Sequence, residues 1–593
     1  MTDAAPPTVL IVGGDALALN TARELCELQG HRVTVLWSDD HEFARQVESV
    51  GARFVAGLPG RLGSLERAGV VNAVTILALS ADDQLNLRAA LRARDVNSEI
   101  RIVLRQFNRT LAPKIEQNLH DCSVVSLAWL SASTYAVSAL DPSCFRGLHF
   151  PERDGKLTGF AARSAEEAGV AGETVADAEA SLGLRVVALG DRTDFDLDEK
   201  IPDGARLVVH GTIERLAAST PRRPTTATDG LKRARMLPWR ARLRRVDPFM
   251  AIFALSALAL FAIGTWHFRY AFATNWLTAA YFVLATMTTT GYGDLTPDRN
   301  NIGDIGIAMM LMLAGVVLTG IFIGFAASLL TQARYVRMQG LRRIRRRGHI
   351  VVCGAGSIGS GVIDLLLPFG RPLVVVERAP DPAMIERARD QGFDLLTGDA
   401  SRDDTLDLCN LPAAHSLVAL TNVDTLNLEI ALGGRVRNPD MPIVLRIADA
   451  SFAASIARHF QFETTYSAEA LAAPIFAGLS RLPGARGRIE IAGEEFGIGE
   501  MVLPENYRDL VPDGAFAIGV WRGRDLVRVH GFDDVSPGET VLLLGRRAAV
   551  REEGVTFAAV ADRLQNEAAI RDPRDEPVES GELIKSGERA EPG

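Results

Sequence analysis

The sequence predicts two copies of one parallel α/β domain, on either side of a short all-α membrane segment. Short apolar runs typical of strands alternate with helical patterns in both halves, which favours βαβ units. Landmark residues recur at a near-constant spacing between the halves, and two long uncharged apolar runs lie between them. At 593 residues the chain is long enough for about four domain-sized pieces.

The repeat is visible in five matched pairs of residues, about 341 positions apart. They are Gly13 with Gly354, Gly57 with Gly398, Asp83 with Asp424, Asn86 with Asn427, and Arg105 with Arg446. A repeat of this length indicates a duplicated domain rather than a solenoid. A smaller region with short strands follows each copy, near Leu184 and Leu207 in the first and near Phe516 and Thr540 in the second, so we expect each sheet domain to carry a small β-rich appendix.

Composition excludes several classes of protein. The chain is 47% apolar and 23% charged, with a formal charge of −9, so it lacks the basic footprint of a nucleic-acid-binding protein. It has too few apolar runs for a carrier with many spans. The five cysteines are scattered and form no C-x-x-C pair, which favours reduced thiols over disulfides or a zinc site.

Two apolar runs are long enough to cross a bilayer as helices. Phe249–Trp266 and Ile305–Leu330 contain 18 and 26 residues without a formal charge. Their outer flanks, 231–245 and 331–348, each carry seven basic residues and no acid. By the positive-inside rule both flanks are cytoplasmic, so we expect a multi-pass protein of the cytoplasmic membrane with both copies in the cytoplasm.

A short apolar segment between the runs, 275–287, ends in the motif TTTGYGD at 288–294. The segment is too short to span, so it predicts a re-entrant helix followed by an irregular strand, which membranes tolerate only where protein or water surrounds it. Gly291 and Gly293 permit the backbone conformations that point carbonyls inward. The carbonyls of Thr289, Thr290, Gly291 and Tyr292 would then replace the hydration shell of K⁺. One chain supplies a quarter of each ion cage, so four are needed.

From Phe249 to about Gln332 the sequence resembles the potassium-channel pore family. The resemblance implies a two-transmembrane pore with a filter at Thr289, Thr290, Gly291, Tyr292 and Gly293. It also implies a homotetramer and a gating hinge at Gly315, although close helix packing is an equally good explanation of that glycine. Thr290 stands where Val is commonest in the family.

Copy two carries G-A-G-S-I-G directly after a strand and before a helix. In this pattern Gly354, Gly356 and Gly359, with Ser357 and Ile358 between them, would admit a phosphate to the helix N-terminus. An acid that ends the second strand, Glu377, would bind ribose hydroxyls. Together these features predict a Rossmann-like nucleotide site.

Copy one has lost these features. Asp15 stands where copy two has Gly356 and would put a carboxylate against a pyrophosphate, and Trp37 stands in place of Glu377. We therefore expect copy one to be mainly structural.

The two copies resemble RCK domains, regulators of K⁺ conductance also known as Trk-type NAD-binding domains. The resemblance extends to Gly398-Asp399-Ala400 and Arg446, and it implies that Asp399, Ala400 and Arg446 belong to the nucleotide site. It implies NAD(H) or an adenine nucleotide as regulatory ligand. The fold class is then α/β Rossmann-like RCK domains, each with an α+β subdomain, plus an all-α two-transmembrane pore.

The function expected is a ligand-gated K⁺ channel rather than an enzyme. The domains expected are RCK lobes at 8–140 and 348–480, their subdomains at 141–216 and 481–550, a linker with a basic flank at 217–247, the pore at 248–332 and a disordered tail at 566–593. Two alternatives remain, a membrane-anchored NAD-dependent oxidoreductase and a non-conducting regulatory subunit of a K⁺ transport system. The first lacks an assembled hydride-transfer motif, and the second leaves TTTGYGD unexplained.

Overall fold

The computed structural model describes residues 8–28, 31–107, 111–153, 155–219, 248–338, 343–462, 464–481, 484–505, 507 and 515–546. The chain divides into two compact units, one formed by the two copies and one by the segment between them. The predicted basic flank 231–245, most of the linker 217–247 and the tail 566–593 lie outside the described residues.

Copy one is built on a six-stranded parallel sheet with the order β3-β2-β1-β4-β5-β6. Its strands are β1 (Thr8–Val12), β2 (Arg32–Trp37), β3 (Arg53–Ala56), β4 (Thr75–Ala78), β5 (Arg101–Arg105) and β6 (Cys122–Val125). The helices are α1 (Ala16–Arg23), α2 (His41–Ser49), α3 (Leu62–Arg67), α4 (Asp83–Val96) and α5 (Ala112–Asn118), followed by α6 (Leu127–Leu140), which we call the first crossover helix. This order is that of doubly wound dinucleotide-binding folds, in which ligands bind at the carboxyl ends of the strands where the order reverses.

The first small subdomain is an antiparallel sheet with the order β7-β8-β10-β9. Its elements are β7 (Cys144–Phe150), β8 (Lys156–Ser164), α7 (Ala165–Ala168), α8 (Val175–Leu182), β9 (Arg185–Leu189), β10 (Arg206–Thr212) and α9 (Ile213–Ala218). The sequence patterns pointed to β9 and β10 but not to β7 and β8.

The membrane segment consists of three helices. They are the outer helix α10 (Pro248–Ala271), the pore helix α11 (Trp276–Met287) and the inner helix α12 (Ile302–Met338). Asn275 caps the pore helix, because its Oδ1 accepts a hydrogen bond of 2.8 Å from the Thr278 amide. Phe268, Phe272 and Phe282 join the outer and pore helices with ring centroids 4.7–5.2 Å apart.

One stretch of the described residues, Ile302–Gly324 in the inner helix, has the length and apolarity of a membrane span. Only 17% of it is buried within the chain. Its exposed apolar side chains include Met310 and Leu313, at 75% and 68%. The other predicted span, Phe249–Trp266, lies within the outer helix and stays a prediction.

Copy two repeats the architecture with the strand order β13-β12-β11-β14-β15-β16. Its strands are β11 (Ile350–Cys353), β12 (Leu373–Glu377), β13 (Asp394–Thr397), β14 (Ser416–Ala419), β15 (Ile443–Arg446) and β16 (Thr465–Tyr466). The helices are α13 (Ser357–Leu366), α14 (Pro382–Gln391), α15 (Asp403–Leu408), α16 (Asp424–Arg437) and α17 (Ala450–Phe460), followed by the second crossover helix α18 (Ala468–Leu479).

The second small subdomain is a five-stranded antiparallel sheet with the order β17-β18-β21-β19-β20. Its strands are β17 (Ala485–Ile491), β18 (Glu494–Val502), β19 (Ala515–Arg522), β20 (Asp525–Arg528) and β21 (Thr540–Arg546). The two small sheets share one apolar core, in which Phe150 packs edge-on against Trp521 at 4.9 Å.

The two copies exchange their crossover helices. The first crossover helix packs into the apolar core of copy two, and the second packs into that of copy one. The hydrogen bonds at the two ends are reciprocal. Thr75 Oγ1 donates to the Ser480 carbonyl at 2.8 Å, and Ser416 Oγ, its counterpart in copy two, donates to the Ala139 carbonyl at 2.7 Å. Each nucleotide-type sheet is therefore covered by a helix that belongs to the other copy.

We expect Gly361→Leu to destabilise this exchanged packing. An added Cβ at Gly361 would lie 3.1 Å from Cβ of Ala132 on the first crossover helix, so a longer side chain cannot fit without movement of α13 or α6. Overpacking of this kind costs about 1–3 kcal/mol. Thermal unfolding of the purified protein should show a lower transition temperature. Gly63→Leu is the control, because Gly63 is exposed on α3 and has nothing within 4 Å of its added Cβ. Equal unfolding transition temperatures of the two variants would contradict the prediction.

Candidate pore and nucleotide site

The predicted filter follows directly from the end of the pore helix. The Ala285 carbonyl accepts hydrogen bonds from the amides of Thr290 at 2.9 Å and Gly291 at 3.2 Å, which joins the filter to the last turn of that helix. The backbone has positive φ at Thr289 (58°), Gly291 (52°) and Gly293 (74°), that is, at every second residue. Residues 288–294 are exposed in the single chain. An exposed irregular strand in a membrane segment requires further polar or protein surroundings.

Two side-chain contacts join elements of the membrane segment. The Tyr292 ring stacks nearly parallel on Tyr281 of the pore helix, with centroids 6.2 Å apart. His267 Nε2 of the outer helix lies 2.9 Å from Asp304 Oδ1 of the inner helix. The first contact holds Tyr292 against the pore helix, and the second joins the outer and inner helices.

Gly315 lies where the inner helix meets the pore helix. An added Cβ would lie 2.3 Å from the Met287 carbonyl oxygen, so this position admits no side chain. The inner helix is continuous from Ile302 to Met338. The structure thus gives Gly315 a packing role, and its predicted role as a gating hinge stays a prediction.

The glycine-rich turn of copy two is open at its centre. Gly354 has φ +95°, and an added Cβ would lie 3.0 Å from the Thr421 amide nitrogen. An added Cβ at Gly359 would lie 2.0 Å from the Gly354 carbonyl oxygen, so this glycine allows the helix to approach the turn. At Gly356, which begins α13 without a side-chain cap, an added Cβ has nothing within 4 Å. The free amides of a helix N-terminus thus face open space, which suits a phosphate.

The predicted acid lies against this turn. Glu377 Oε2 accepts a hydrogen bond of 2.8 Å from the Ala355 amide, and its Oε1 accepts one of 3.2 Å from the Ala379 amide. Asp399 accepts hydrogen bonds from the Ser401 amide and hydroxyl, which lower the pKa of its carboxyl group. Ile358 and Ala400 are only 4% and 7% exposed, so they can offer a ligand little beyond backbone groups.

Arg446 lies at the end of β15 and contacts the Thr421 loop, which packs against Gly354 of the turn. Its Nη1 donates to the Thr421 carbonyl at 3.3 Å, and its Nη2 pairs with Glu469 Oε1 at 3.2 Å. Asn427 holds the same loop, because its Nδ2 donates to the carbonyls of Thr421 and Arg446 at 3.0 and 2.9 Å. Sequence reasoning did not single out Glu469. The repeat offered a signal, since the equivalent position in copy one holds Ala128.

The equivalent cleft in copy one is filled by the chain itself. An added Cβ at Gly14 would lie 2.0 Å from Nε1 of Trp37, so the indole covers the turn. Asp15 Oδ1 accepts from the Ala18 amide at 3.1 Å, and its Oδ2 pairs with Arg105 Nη1 at 2.6 Å. Asp15 thus stands where copy two has open space at Gly356, and the Trp37 indole covers the turn where copy two has Glu377.

The described residues contain no cluster of three or more His, Cys, Asp or Glu side chains that could hold a metal ion. All five cysteines are free, and three of them are buried.

The fold and these sites define a class of protein in which two Rossmann-like domains accompany a pore segment. Comparison with known families is consistent with that class. The TrkA-N domain family matches residues 9–125 and 350–465, and the ion channel family matches residues 251–332. The chain therefore carries an RCK-type TrkA-N domain before and after an ion-channel domain, and the predicted family and fold class are confirmed.

Proteins named as potassium channels in other organisms resemble parts of the chain. Potassium channel protein 1 of Methanocaldococcus jannaschii is 27% identical over 179 residues, 29% of this chain and 53% of that protein. The voltage-gated potassium channel Kch of Escherichia coli is 24% identical over 184 residues, 29% of this chain and 42% of Kch. The chain thus spans about half the length of these relatives. A solved structure described as the GsuK channel bound to NAD is 14% identical with a TM-score of 0.48, covering 96% of this chain and 80% of that one.

Proposed function

We propose that the protein is a homotetrameric K⁺ channel of the cytoplasmic membrane, gated by a nucleotide that binds copy two. The TTTGYGD strand carries the proposal. It follows a short apolar helix inside the region that matches the ion channel family, and Gly291 and Gly293 both have positive φ. Four such strands around one axis would direct backbone carbonyls at a dehydrated cation.

Gating requires that the nucleotide bind the open and closed states with different affinity. A shift from 1:99 to 99:1 takes a ratio of about 10⁴, or roughly tenfold at each of four copy-two sites. The open turn at Gly356 and the nearby Arg446 support a site for an adenine nucleotide such as NAD(H) or ADP, with Glu377 at the ribose. In the sequence, the inner helix ends at Met338 and a short connection joins it to copy two, of which residues 339–342 lie outside the described residues.

We expect Gly356→Asp to abolish the nucleotide dependence of K⁺ flux. The substitution places a carboxylate in the space that a phosphate would occupy, as Asp15 does in copy one. Flux would be measured in liposomes that contain the purified protein, with and without NAD⁺, NADH, ATP or ADP. Gly63→Asp controls for an added charge at an exposed glycine. A Gly356→Asp protein that responds like the wild type would show that copy two is not the sensor.

A further inference from the structure

The equivalent arginines of the two copies pair with carboxylates from different places. Arg105 pairs with Asp15 in the glycine-rich turn, with 2.6 Å between Nη1 and Oδ2. Arg446 instead pairs with Glu469 in the first turn of the second crossover helix, with 3.2 Å between Nη2 and Oε1. The arginine side chains of both pairs are largely shielded from water, since only 7% of Arg105 and 17% of Arg446 is exposed.

Each copy lacks the carboxylate that the other copy uses. Copy two has Gly356 at the position of Asp15, and copy one has Ala128 at the position of Glu469. Among the residues that the structure describes, the arginine side chain of each copy thus pairs with one carboxylate, which lies above the turn in copy one and on the crossover helix in copy two. The copies represent two alternative arrangements of the same cluster.

The Asp15 carboxylate marks where an anion fits in this cluster. It accepts from the Ala18 amide at the start of α1 while it pairs with Arg105. In copy two the same location above Gly356 is empty of protein atoms. A phosphate bound there would meet the helix N-terminus and come within reach of Arg446, and it would compete with Glu469 for that guanidinium.

We propose that Arg446 is a switch residue: when a nucleotide binds, its guanidinium leaves Glu469 and pairs with the phosphate of the nucleotide. In copy one, Asp15 holds the equivalent Arg105 permanently in the arrangement that corresponds to the nucleotide-bound one. This inference rests on the proposed nucleotide-gated function. Exchange releases the first turn of the second crossover helix from the site. The other end of that helix is tied to copy one, where Arg101 Nε donates to the Leu479 carbonyl at 2.8 Å and Thr75 donates to Ser480. Nucleotide binding at copy two thereby affects the packing of the second crossover helix against copy one.

The surroundings of the Arg446–Glu469 pair support this link between the nucleotide site and the packing of the two copies. Tyr135 of the first crossover helix is fully buried, and burial raises the pKa of its phenol well above the usual value. The charges of Arg446 and Glu469 also act on this phenol. Its hydroxyl donates to the Tyr466 carbonyl at 3.0 Å, next to the strand end from which the second crossover helix begins. The Arg446–Glu469 pair therefore lies within electrostatic range of the first crossover helix, while Glu469 itself belongs to the second.

The first test is Glu469→Ala, which installs the copy-one residue. Without its competitor, Arg446 should bind the phosphate more tightly, and we expect the Kd for radiolabelled ADP or NAD⁺ to fall about fivefold. The measurement is equilibrium dialysis with the purified full-length protein. Without nucleotide, the K⁺ flux of this variant should approach that of the nucleotide-saturated wild type, whether that flux is higher or lower than the wild-type flux without nucleotide. Glu429→Ala is the control, since Glu429 is an exposed acid on α16.

The second test combines Gly356→Asp with Glu469→Ala, which rebuilds the copy-one arrangement in copy two. We expect this protein to bind neither nucleotide and to conduct at the nucleotide-saturated wild-type level. Glu469→Gln keeps the shape of the side chain without its charge, and it should tighten binding to a smaller extent. It also covers the case in which Glu469→Ala does not fold.

The outcomes separate the two proposals. If wild-type flux responds to nucleotide while Glu469→Ala and Glu469→Gln bind and conduct like wild type, the exchange is wrong and the proposed function stands. The exchange is also wrong if the double variant conducts at the nucleotide-free level. If the wild-type protein binds neither ADP nor NAD⁺, or if neither changes its K⁺ flux, the proposed gating is wrong and the exchange is wrong with it.

Discussion

Gly291→Ala is expected to abolish selective K⁺ flux. Gly291 has φ +52° in the centre of the filter strand. A left-handed backbone costs an L-residue about 1–2 kcal/mol, so four chains that share one filter would bear about 4–8 kcal/mol. The strand would relieve this strain by rotating its carbonyls away from the ion path. The measurement is K⁺ and Na⁺ flux in liposomes that contain the variant.

Two controls separate a filter effect from misfolding. Gly320→Ala changes a glycine of the inner helix with nothing within 4 Å of its added Cβ, and it should keep the flux. The Gly291→Ala protein should still elute as a tetramer and should still bind nucleotide at copy two. Selective K⁺ flux through Gly291→Ala at the wild-type rate would contradict the assignment of the filter.

Glu179→Ala is expected to cost about 3–5 kcal/mol, because it leaves buried positive charge without its partner. The Glu179 side chain is fully buried on α8 of the first small subdomain. Its Oε1 accepts from Arg185 Nη1 at 2.6 Å and from the Val186 amide at 2.8 Å. Its Oε2 lies 3.5 Å from Arg528 Nε and 3.4 Å from His530 Nδ1, both in the second small subdomain. The substitution should therefore loosen the contact between the two small sheets.

Thermal unfolding and limited proteolysis of the purified protein would detect this loss. Glu494→Ala is the matched control, since Glu494 pairs with Arg546 at 2.9 Å with both side chains well exposed. Surface pairs of this kind contribute about 0–1 kcal/mol. Melting temperatures that fall equally in the two variants would contradict the role assigned to Glu179.

Local sequence patterns predicted much of this architecture. The repeat anticipated two equivalent sheets, because glycines such as Gly13 and Gly354 occupy turns that the fold needs at the same place. TTTGYGD predicted an irregular strand after a short helix, since alternating glycines permit positive φ. The filling of the copy-one turn also followed from single residues, because Asp15 and Trp37 stand where copy two has Gly356 and Glu377.

Long-range packing could not be predicted in the same way. The exchange of crossover helices depends on small residues such as Ala132 and Gly361 and on the hydroxyls of Thr75 and Ser416, which many folds use without such an exchange. Glu469 escaped notice because its meaning depends on Arg446, 23 residues before it, and on the absence of an acid at Ala128. The strands β7, β8, β17 and β18 contain glycine and charged residues, which weakened the apolar alternation that marks a strand.

The central claim is that this chain alone conducts K⁺ under the control of a nucleotide. The most direct measurement is K⁺ against Na⁺ flux in liposomes that contain only the purified protein, run with and without NAD⁺, NADH, ATP and ADP. We predict K⁺ flux that greatly exceeds Na⁺ flux and that changes when one of these nucleotides is added. Liposomes that pass neither ion under any of these conditions would contradict the claim, and would favour a regulatory subunit that needs a separate transporter.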